Sequence, residues 1–275
     1  MKPLNLIPAD TNIQFMSKRV IFFAISAFLV LASIGVVASK GLNFGIDFKG
    51  GILIEVRTEG PADVSAMRGQ LGALGLGDIS LQEFGAPTDV LIRIQRQEGD
   101  DDAQQKAVEA VKAEFGDSVT YRRTEFVGPK VSEELLTSGI EAVGLAILAI
   151  LVYIWFRFEW QFGLGAVVAL THDVITTIGI FALLGLEFNL STVAAVLTIA
   201  GYSINDTVVV FDRVREKLRK FKSMPLPELL NLAINKTLSR TLMTSVTTLI
   251  ALLALFFLGG EVIRDFAFAM IWGVL

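Results

Sequence analysis

The stretch TIAGYSINDTVVVFDRVREK, residues 198–217, is an apolar segment that ends in a run of charged residues. Its apolar part holds one carboxylate, Asp206, six residues before the first charge of that run at Asp212. The apolar part extends back to Phe188, so it is long enough to cross the hydrocarbon core of a bilayer as a helix. A carboxylate in hydrocarbon is costly, and such residues face the interior of a helix bundle, where they commonly serve a function. The stretch therefore predicts a membrane-spanning helix with an inward-facing, functional Asp206.

Other apolar segments predict that the chain crosses the membrane six times in all. The chain is 53% hydrophobic and has a mean hydropathy of +0.60, which is too apolar for an ordinary soluble domain. The further predicted spans are Val20–Ala38 (residues 20–39 with its flank), Ser138–Phe156, Gly163–Leu186, Leu242–Leu258 and a segment that begins near Val262. The first has no charge and no cleavage site after it, so we expect an uncleaved signal anchor. The last is still apolar at Leu275, so we expect that it is truncated there.

The distribution of Lys and Arg predicts the orientation of these spans. Short loops rich in Lys and Arg stay in the cytoplasm. Lys18 and Arg19 precede the first span, which places residues 1–19 in the cytoplasm. Because successive spans cross the membrane in opposite directions, residues 40–137 should lie on the side opposite the cytoplasm. The same alternation makes 212–240 a cytoplasmic loop, which carries eight Lys or Arg residues. Within that loop, residues 225–238 carry an apolar stripe at helical spacing. This segment either lies along the membrane surface or packs on its own bundle, and the sequence leaves both open.

Residues 40–137 predict a small α+β domain. Apolar alternation and turn residues give the order β-α-β-β-α-β, which is the ferredoxin-like arrangement. The predicted strands are Gly51–Thr58, Ile79–Phe84, Val90–Gln95 and Ser118–Phe126, and the predicted helices are Pro61–Leu74 and Asp100–Phe115. The domain contains no His and no Cys, and it offers no nucleophile–base pair. We therefore expect a binding or lever role here and no enzymatic catalysis. Spans two to six occupy residues 138–275.

Polar side chains recur at helical spacing within three of the predicted spans. One set is Ser191, Thr198, Tyr202, Asn205 and Asp206; a second is Arg240, Thr244, Thr247 and Thr248; a third is His172, Asp173, Thr176 and Thr177. Polar faces within lipid must meet one another or a water-filled path. Asp206 and Arg240 should lie at similar depths, so these two groups could pair. The pair is either a proton-carrying site or a static ion pair that fixes helix register, and we favour the first because apolar residues would pack at lower cost.

The His172–Asp173 pair leaves two interpretations open. It is either part of a proton relay or a hydrogen-bonded contact between helices. The chain has no cysteine, which excludes disulfides, Cys-based zinc sites and thiol chemistry, and we expect no metal site. It also has no Walker-type phosphate-binding loop. If the protein performs work, the expected energy source is an ion gradient, with protons as the coupling ion and no other cofactor.

Four motifs resemble the SecF family of bacterial protein-export subunits. They are FGIDFKGG (44–51), VGPKVSEEL (127–135), AGYSINDTVVVFDRVRE (200–216) and LSRTLMTSVTTL (238–249). They occur in the family's order and cover essentially the whole chain. A lone GIDFKGG would fit SecD as well, and the GYSINDT stretch favours SecF.

The resemblance implies a six-span membrane fold of the resistance–nodulation–division type in the bacterial inner membrane, with a periplasmic domain. It implies a complex with SecD, association with SecYEG and YajC, and use of the proton motive force to promote translocation of preproteins. In the family, an aspartate and an arginine that match Asp206 and Arg240 act in proton conduction. We extend the expected proton path to Asp173, His172, Asn205 and Thr244. We expect contact with membrane lipid and no nucleic-acid partner.

The glycine-rich motifs have a structural interpretation. Gly50 and Gly51 allow a tight entry into the following strand. We expect Gly45, Asp47, Gly128 and Pro129 to serve the same structural purpose, which is to set the backbone path beside the membrane.

Two other functions remain possible from the sequence. The chain could be half of a proton-coupled exporter of small molecules or lipids from the same superfamily, although its periplasmic domain is small for that role. It could instead be a scaffold of the translocon with no energetic role, in which case the buried charges only fix helix register.

Overall fold

The protein divides into a membrane unit and a soluble unit. The structure, a computed structural model, describes residues 8, 11–99, 101–259 and 263–275. One unit comprises Met1–Asn43 with Val143–Leu275, and the other comprises Phe44–Ala142. The predicted helix start at Asp100, the predicted start of the sixth span near Val262, and residues 1–7 and 9–10 of the predicted cytoplasmic segment lie outside the described residues.

The membrane unit is built from long apolar helices. They are α1 (Arg19–Lys40), α5 (Pro129–Arg157), α6 (Trp160–Leu184), α7 (Leu190–Lys220), α8 (Leu226–Leu258) and the shorter α9 (Arg264–Val274); a 3-10 helix (Phe15–Lys18) precedes α1, and two short strands, β1 (Asn43–Phe44) and β6 (Glu187–Phe188), flank the membrane part. Among the described residues, α1 with its preceding turn and α5 to α8 are long and apolar enough to cross a membrane. Five of the six predicted spans thus correspond to helices of sufficient length and hydropathy. The sixth stays a prediction, because the 11 residues of α9 extend only about 16 Å at about 1.5 Å per residue.

Residues 212–240, which the sequence predicts as a loop, lie mainly in two helices. Helix α7 runs on to Lys220 and α8 begins at Leu226, so the connection comprises residues 221–225. Charged residues such as Arg, Lys and Glu are good helix formers, so they extend α7 beyond its apolar part. On α8, Leu229 and Ala233 are buried against Val214 of α7. Of the two alternatives left open for the amphipathic segment, packing on its own bundle is therefore the one observed.

Two asparagines on α8 hold the segment that precedes α1. Asn235 accepts a hydrogen bond from the Ile13 amide and donates one to the Ile13 carbonyl, both at 2.9 Å. Asn231 accepts from the Met16 amide and donates to Gln14 Oε1, also at 2.9 Å in each case. Three of these bonds engage backbone groups and the fourth engages the Gln14 side chain, and together they connect the segment before α1 to α8.

Close packing of small residues brings α1 against α6. A Cβ atom added to Gly179 of α6 would overlap the side chain of Ser33 on α1. Small residues at such crossings let helix backbones approach closely within a membrane. A second close contact joins α9 to α7, where a Cβ on Gly273 would meet Ile199. Beside it lies an apolar core that includes Phe181, Ala195 and Met270.

The soluble unit contains one antiparallel sheet, three helices and the first part of α5. Its elements are α2 (Ile46–Lys49), β2 (Gly51–Thr58), α3 (Val64–Gly72), β3 (Ile79–Phe84), β4 (Ala86–Ile94), α4 (Asp101–Phe115), a 3-10 turn (Gly116–Ser118) and β5 (Val119–Val127). The strand order is β3-β4-β2-β5, with Ile54 opposite Ile92 on β4 and Thr124 on β5. Residues Ile52, Ile54 and Val56 point to the side covered by α3 and α4 and are fully buried. The order of strands and helices from β2 to β5 agrees with the order predicted from the sequence.

An ion-pair network lies on the opposite side of this sheet. Asp89 is buried and accepts hydrogen bonds from Arg57 Nε at 2.6 Å and Arg57 Nη2 at 2.7 Å. Arg122 Nη1 lies 3.3 Å from Asp89 Oδ2 and 3.2 Å from Glu55 Oε1. The hydrogen bonds from Arg57, and the positive charges of Arg57 and Arg122, hold the pKa of Asp89 below its usual value. The network gives a buried carboxylate the partners that it needs.

The two glycines before β2 occupy positions that only glycine fits well. Gly50 has φ 70° and Gly51 has φ 125°, both in the region that L side chains rarely adopt. A Cβ on Gly51 would lie 2.7 Å from the Ile94 carbonyl oxygen. The chain thus turns from α2 into β2 with its backbone in direct contact with the neighbouring strand.

We predict that residues 44–142 fold on their own, because they contain a complete apolar core. Expressed separately, the fragment should show mixed α/β circular dichroism and one cooperative unfolding transition in urea. Leu71→Ala, at a fully buried position, should lower the free energy of unfolding by about 2–5 kcal/mol. The matched control is Leu136→Ala, whose side chain is 37% exposed and which should change the free energy of unfolding far less. A disordered spectrum for the unmodified fragment would contradict the prediction.

We also predict that Gly179→Ala destabilises the membrane unit. The added methyl group forces α1 away from α6, and overpacking of this kind costs about 1–3 kcal/mol. Thermal denaturation of the detergent-solubilised protein measures the effect. Gly144→Ala is the control, because a Cβ at that position on α5 meets nothing within 4 Å. Equal melting temperatures for both variants would show that the α1–α6 crossing tolerates a side chain at residue 179.

Candidate functional site

The candidate site begins in the middle of α6 with adjacent His172 and Asp173. His172 Nδ1 lies 2.9 Å from Asp173 Oδ1. Thr176 and Thr177 belong to the same predicted stripe. Their hydroxyls donate hydrogen bonds to the backbone carbonyl of Asp173, at 3.2 and 2.7 Å. The two threonines therefore satisfy the backbone of their own helix, while the carboxylate of Asp173 stays available to other groups.

A serine of α7 provides the second partner of Asp173. Ser203 Oγ donates a hydrogen bond to Asp173 Oδ2 at 2.6 Å. This distance is typical of a hydroxyl that donates to a charged carboxylate. The bond joins α6 to α7 within the membrane. Sequence reasoning missed Ser203, although its position three residues before Asp206 on the same helix was an available signal.

Two buried polar atoms near these residues in the sequence have no hydrogen-bond partner among the described residues. They are His172 Nε2 on α6 and Tyr202 OH on α7. Buried polar atoms are rarely left unsatisfied, and those that are often belong to functional sites. Both residues carry groups that can accept and release a proton.

Asp206 and Arg240 lie on the adjoining helices α7 and α8. Asp206 is half-buried, and Arg240 is close enough for its positive charge to act on the Asp206 carboxylate. The sequence allowed these two groups to pair, but they are not in direct contact: within the described part of the chain, Asp206 has neither a hydrogen bond nor an ion pair within 4.0 Å. Asp206 and Arg240 interact through their charges without touching. A shift of either helix would change the distance between them.

The remaining residues of the predicted polar stripes divide between two environments. The hydroxyls of Thr198 and Thr244 donate hydrogen bonds to carbonyls of their own helices, at Ala194 O (2.7 Å) and Arg240 O (2.9 Å). Asn205, Thr198 and Arg240 are exposed. The seven-residue spacing predicted one inward-facing stripe on α7. The structure instead turns Ser203 toward α6 and leaves Thr198 and Asn205 on the surface of this chain.

An ion pair and an aromatic cluster join the helix ends next to residues 158–162. Arg157 Nη2 of α5 donates to Asp212 Oδ1 and Oδ2 of α7 at 2.9 and 2.7 Å. Beside this pair, the rings of Phe158, Phe162 and Phe211 lie with centroids 5.1–6.1 Å apart. The contacts hold α5, α6 and α7 together at this end.

The family-motif residues hold the backbone on either side of β2 and at the start of α5. Gly45 precedes the first turn of α2 and is buried, and Asp47 lies within that turn. Gly128 is buried, and its carbonyl accepts the Ser132 amide at 3.0 Å, which is the first hydrogen bond of α5. Pro129 begins α5, a position where the missing amide proton costs nothing. In the described residues, no group of three His, Cys, Asp or Glu side chains is placed to hold a metal ion.

Comparison with known protein families gives two matches along the chain. Residues 107–275 match the family described as protein export membrane protein SecD/SecF, C-terminal. Residues 35–62 match the SecD/SecF GG motif, which includes Gly50 and Gly51. The two matches together include the membrane site and the turn into β2.

Curated relatives carry the same family name over nearly their whole length. The protein translocase subunit SecF of Cereibacter sphaeroides is 50% identical over 281 residues, which are 98% of this chain and 86% of that protein. The protein translocase subunit SecF of Rickettsia felis is 46% identical over 277 residues, covering 99% of this chain and 89% of the relative.

Solved structures of larger chains show the same fold. The crystal structure of SecDF, a translocon-associated membrane protein from Thermus thermophilus, is 39% identical with a TM-score of 0.87 over 96% of this chain. A structure of SecDF in a super-membrane-facing form is 38% identical with a TM-score of 0.70 over 98% of this chain. This chain spans 36% and 37% of those two chains, so it corresponds to about a third of each.

Proposed function

The chain belongs to the SecD/SecF family of protein export membrane proteins, and from this we propose that it acts with SecD in the Sec translocase and uses the proton motive force to promote preprotein translocation. The single observation that carries the proton-coupled part is the position of Asp206 on α7, within a membrane helix and under the influence of the Arg240 charge from α8. SecYEG is the channel that it serves, YajC is a further partner, and protons are the coupling ion.

The Asp206–Arg240 geometry supports a proton carrier because the two groups are near one another without a fixed contact. A cation close to a carboxylate favours its charged form, and removal of the cation from a carboxylate in hydrocarbon favours proton uptake. Helix movement that changes the separation therefore changes the protonation of Asp206. One charge that crosses 100 mV releases about 2.3 kcal/mol, which is enough to bias a two-state equilibrium substantially.

The exposed polar residues of α7 and α8 support a partner within the membrane. Thr198, Asn205, Arg240 and Thr247 are exposed on this chain, although they lie in helices long enough to span the bilayer. Polar side chains in lipid require polar partners on neighbouring helices or water. We propose that membrane helices of SecD cover this face and complete the site around Asp206 and Arg240.

The soluble unit fits a binding or lever role on the periplasmic side. Its β-α-β-β-α-β order and the strand order β3-β4-β2-β5 support the proposal that it is ferredoxin-like. The core is apolar, and the buried charges of Glu55 and Asp89 are engaged with arginines in a structural network. We propose that this unit contacts preprotein segments as they emerge and catalyses no reaction.

We predict that Asp206→Asn abolishes the contribution of the proton gradient to export. Asparagine keeps the size of the side chain and removes its titration, so assembly with SecD should survive. Gradient-stimulated translocation into inverted membrane vesicles should fall more than about tenfold, since about 2.3 kcal/mol per 100 mV is lost as a driving force. Arg240→Met should have the same effect. Glu141→Gln, which removes an exposed carboxylate on α5, is the matched control and should keep the full rate.

Two other results would redirect the interpretation of this experiment. An Asp206→Asn protein that translocates at the unmodified rate under a full gradient would favour the scaffold function, with the buried charges fixing helix register. Unimpaired secretion in cells depleted of the chain would instead favour the exporter function.

We further predict an orientation in the inner membrane with the α7–α8 connection in the cytoplasm and the soluble unit in the periplasm. The cysteine-free chain allows single cysteines at exposed Ser223 and at exposed Ser65 on α3. An impermeant maleimide added to spheroplasts should label Ser65→Cys and leave Ser223→Cys unlabelled until the membrane is broken. The reverse pattern would invert the proposed topology and place the basic residues outside.

A further inference from the structure

The contacts of Asp173 are unusual for a carboxylate in the middle of a membrane helix. Both of its oxygens are engaged, Oδ1 with His172 Nδ1 at 2.9 Å and Oδ2 with Ser203 Oγ at 2.6 Å. The sequence has no Lys or Arg between Arg157 and Arg213, so α6 and the membrane part of α7 carry no permanent cation. On these two helices, only a protonated His172 could balance the charge of an ionised Asp173.

Asp173 and Asp206 lie at similar depths in the membrane. Asp173 lies 13 residues after Trp160, and Ser203 lies 13 residues after Leu190, so each is about 20 Å from its own helix start at about 1.5 Å per residue. Because the two helices run in opposite directions across the membrane, both residues lie near its centre. Asp206 follows Ser203 by three residues on the same face of α7, about 4.5 Å further along the helix axis.

We propose that Asp173, with His172 and Ser203, is a second proton-binding site that works in series with Asp206. The proposal rests on the proposed proton-coupled function and adds the group that holds the proton before Asp206 does. One proton is shared by the pair: it resides either on the Asp173 carboxyl, which then donates to neutral His172 Nδ1, or on His172, which then donates to ionised Asp173. Ser203 stabilises the ionised form more strongly than the neutral one, because a hydrogen bond from its hydroxyl to a charged carboxylate is stronger than one to a neutral carboxyl.

The elements packed around Asp173 limit which other groups can take part. Helix α1 carries no charged residue between Arg19 and Lys40, and the charges of α9 are Arg264 and Asp265 at its start. Helix α5 lines a cavity with Thr171 and Val174 of α6, and its titratable groups from residue 141 onward are Glu141, Tyr153 and Arg157. On α6, α7 and α8 the titratable and charged groups of the central membrane region are His172, Asp173, Tyr202, Asp206 and Arg240. His172 Nε2 has no hydrogen-bond partner in the described chain, so the ring has a second nitrogen available for proton transfer.

A static contact between α6 and α7 would use the same atoms, and the two roles differ in what substitution does. Asparagine at residue 173 can still accept the Ser203 hydrogen bond through its amide oxygen. A purely structural role would therefore survive Asp173→Asn, whereas a proton-binding role would not.

The test is proton flux through the chain assembled with SecD in liposomes, driven by a potassium diffusion potential and followed with an internal pH dye. Asp173→Asn should lower the flux at least about tenfold while co-purification with SecD is unchanged. Ser203→Ala should lower the flux several-fold, and Ser203→Thr, which restores the hydroxyl, should recover it. Ser39→Ala on α1 is the matched control and should not change the flux, because the Ser39 hydroxyl bonds to its own helix at Val36 O.

The outcomes separate this proposal from the proposed function. Flux that is lost in Asp206→Asn but unchanged in Asp173→Asn overturns the second site and leaves the proton-coupled function intact. Absence of flux in the unmodified complex overturns both. If Asp173→Asn does not assemble, His172→Asn decides, because asparagine can keep a hydrogen bond to Asp173 but cannot titrate. Its flux should fall and the pH dependence of the flux should change, and an unmodified flux and pH dependence would overturn the proposal.

Discussion

The hydrogen bond between Ser203 and Asp173 is the interaction on which the membrane site depends. A polar group in hydrocarbon must find a partner inside the protein, and a carboxylate needs more than one. Asp173 meets this requirement with Ser203 on α7 and with its neighbour His172. Because the Ser203 bond joins two helices, it fixes the rotation of α7 relative to α6. That rotation in turn decides which residues of α7 face α8 and which remain on the surface of the chain.

The fold could be predicted from the sequence wherever a single periodicity persists over a whole element. Strands β2 and β3 have the predicted limits, because turn glycines and prolines end each alternating run. Five membrane helices were predicted from apolar length alone. Their ends were not, since α7 and α8 continue beyond the hydrocarbon with charged and polar residues. A count of apolar residues detects the part of a helix that lies in the membrane but not its extension into water. The 212–240 segment was therefore predicted as a loop in which only residues 225–238 have helical spacing.

The candidate site could be predicted only for its charged members. Asp206, Arg240, His172 and Asp173 stand out because ionisable groups in apolar segments are rare. Ser203 does not stand out in the sequence, because hydroxyl groups in membrane helices commonly form hydrogen bonds with the backbone of their own helix, as those of Thr198 and Thr244 do here. Whether a hydroxyl reaches another helix depends on packing, and close contacts such as Gly179 against Ser33 are not visible in the spacing of one helix.

Helix α7 connects the proposed proton chemistry to one end of the membrane unit. It is 31 residues long and carries Ser203, Asp206 and Asp212 in succession. Asp212 is paired with Arg157 on α5, and Val214 packs against Leu229 and Ala233 on α8. In the proposed function, a change in the charge of Asp206 that shifts α7 also displaces the ends of α5 and α8, because these contacts join them to α7. Asn231 and Asn235 pass the movement of α8 to the segment before α1. Under the proposed proton coupling, a proton bound at the centre of the membrane therefore acts on several helices through contacts that are already formed, without any new interface.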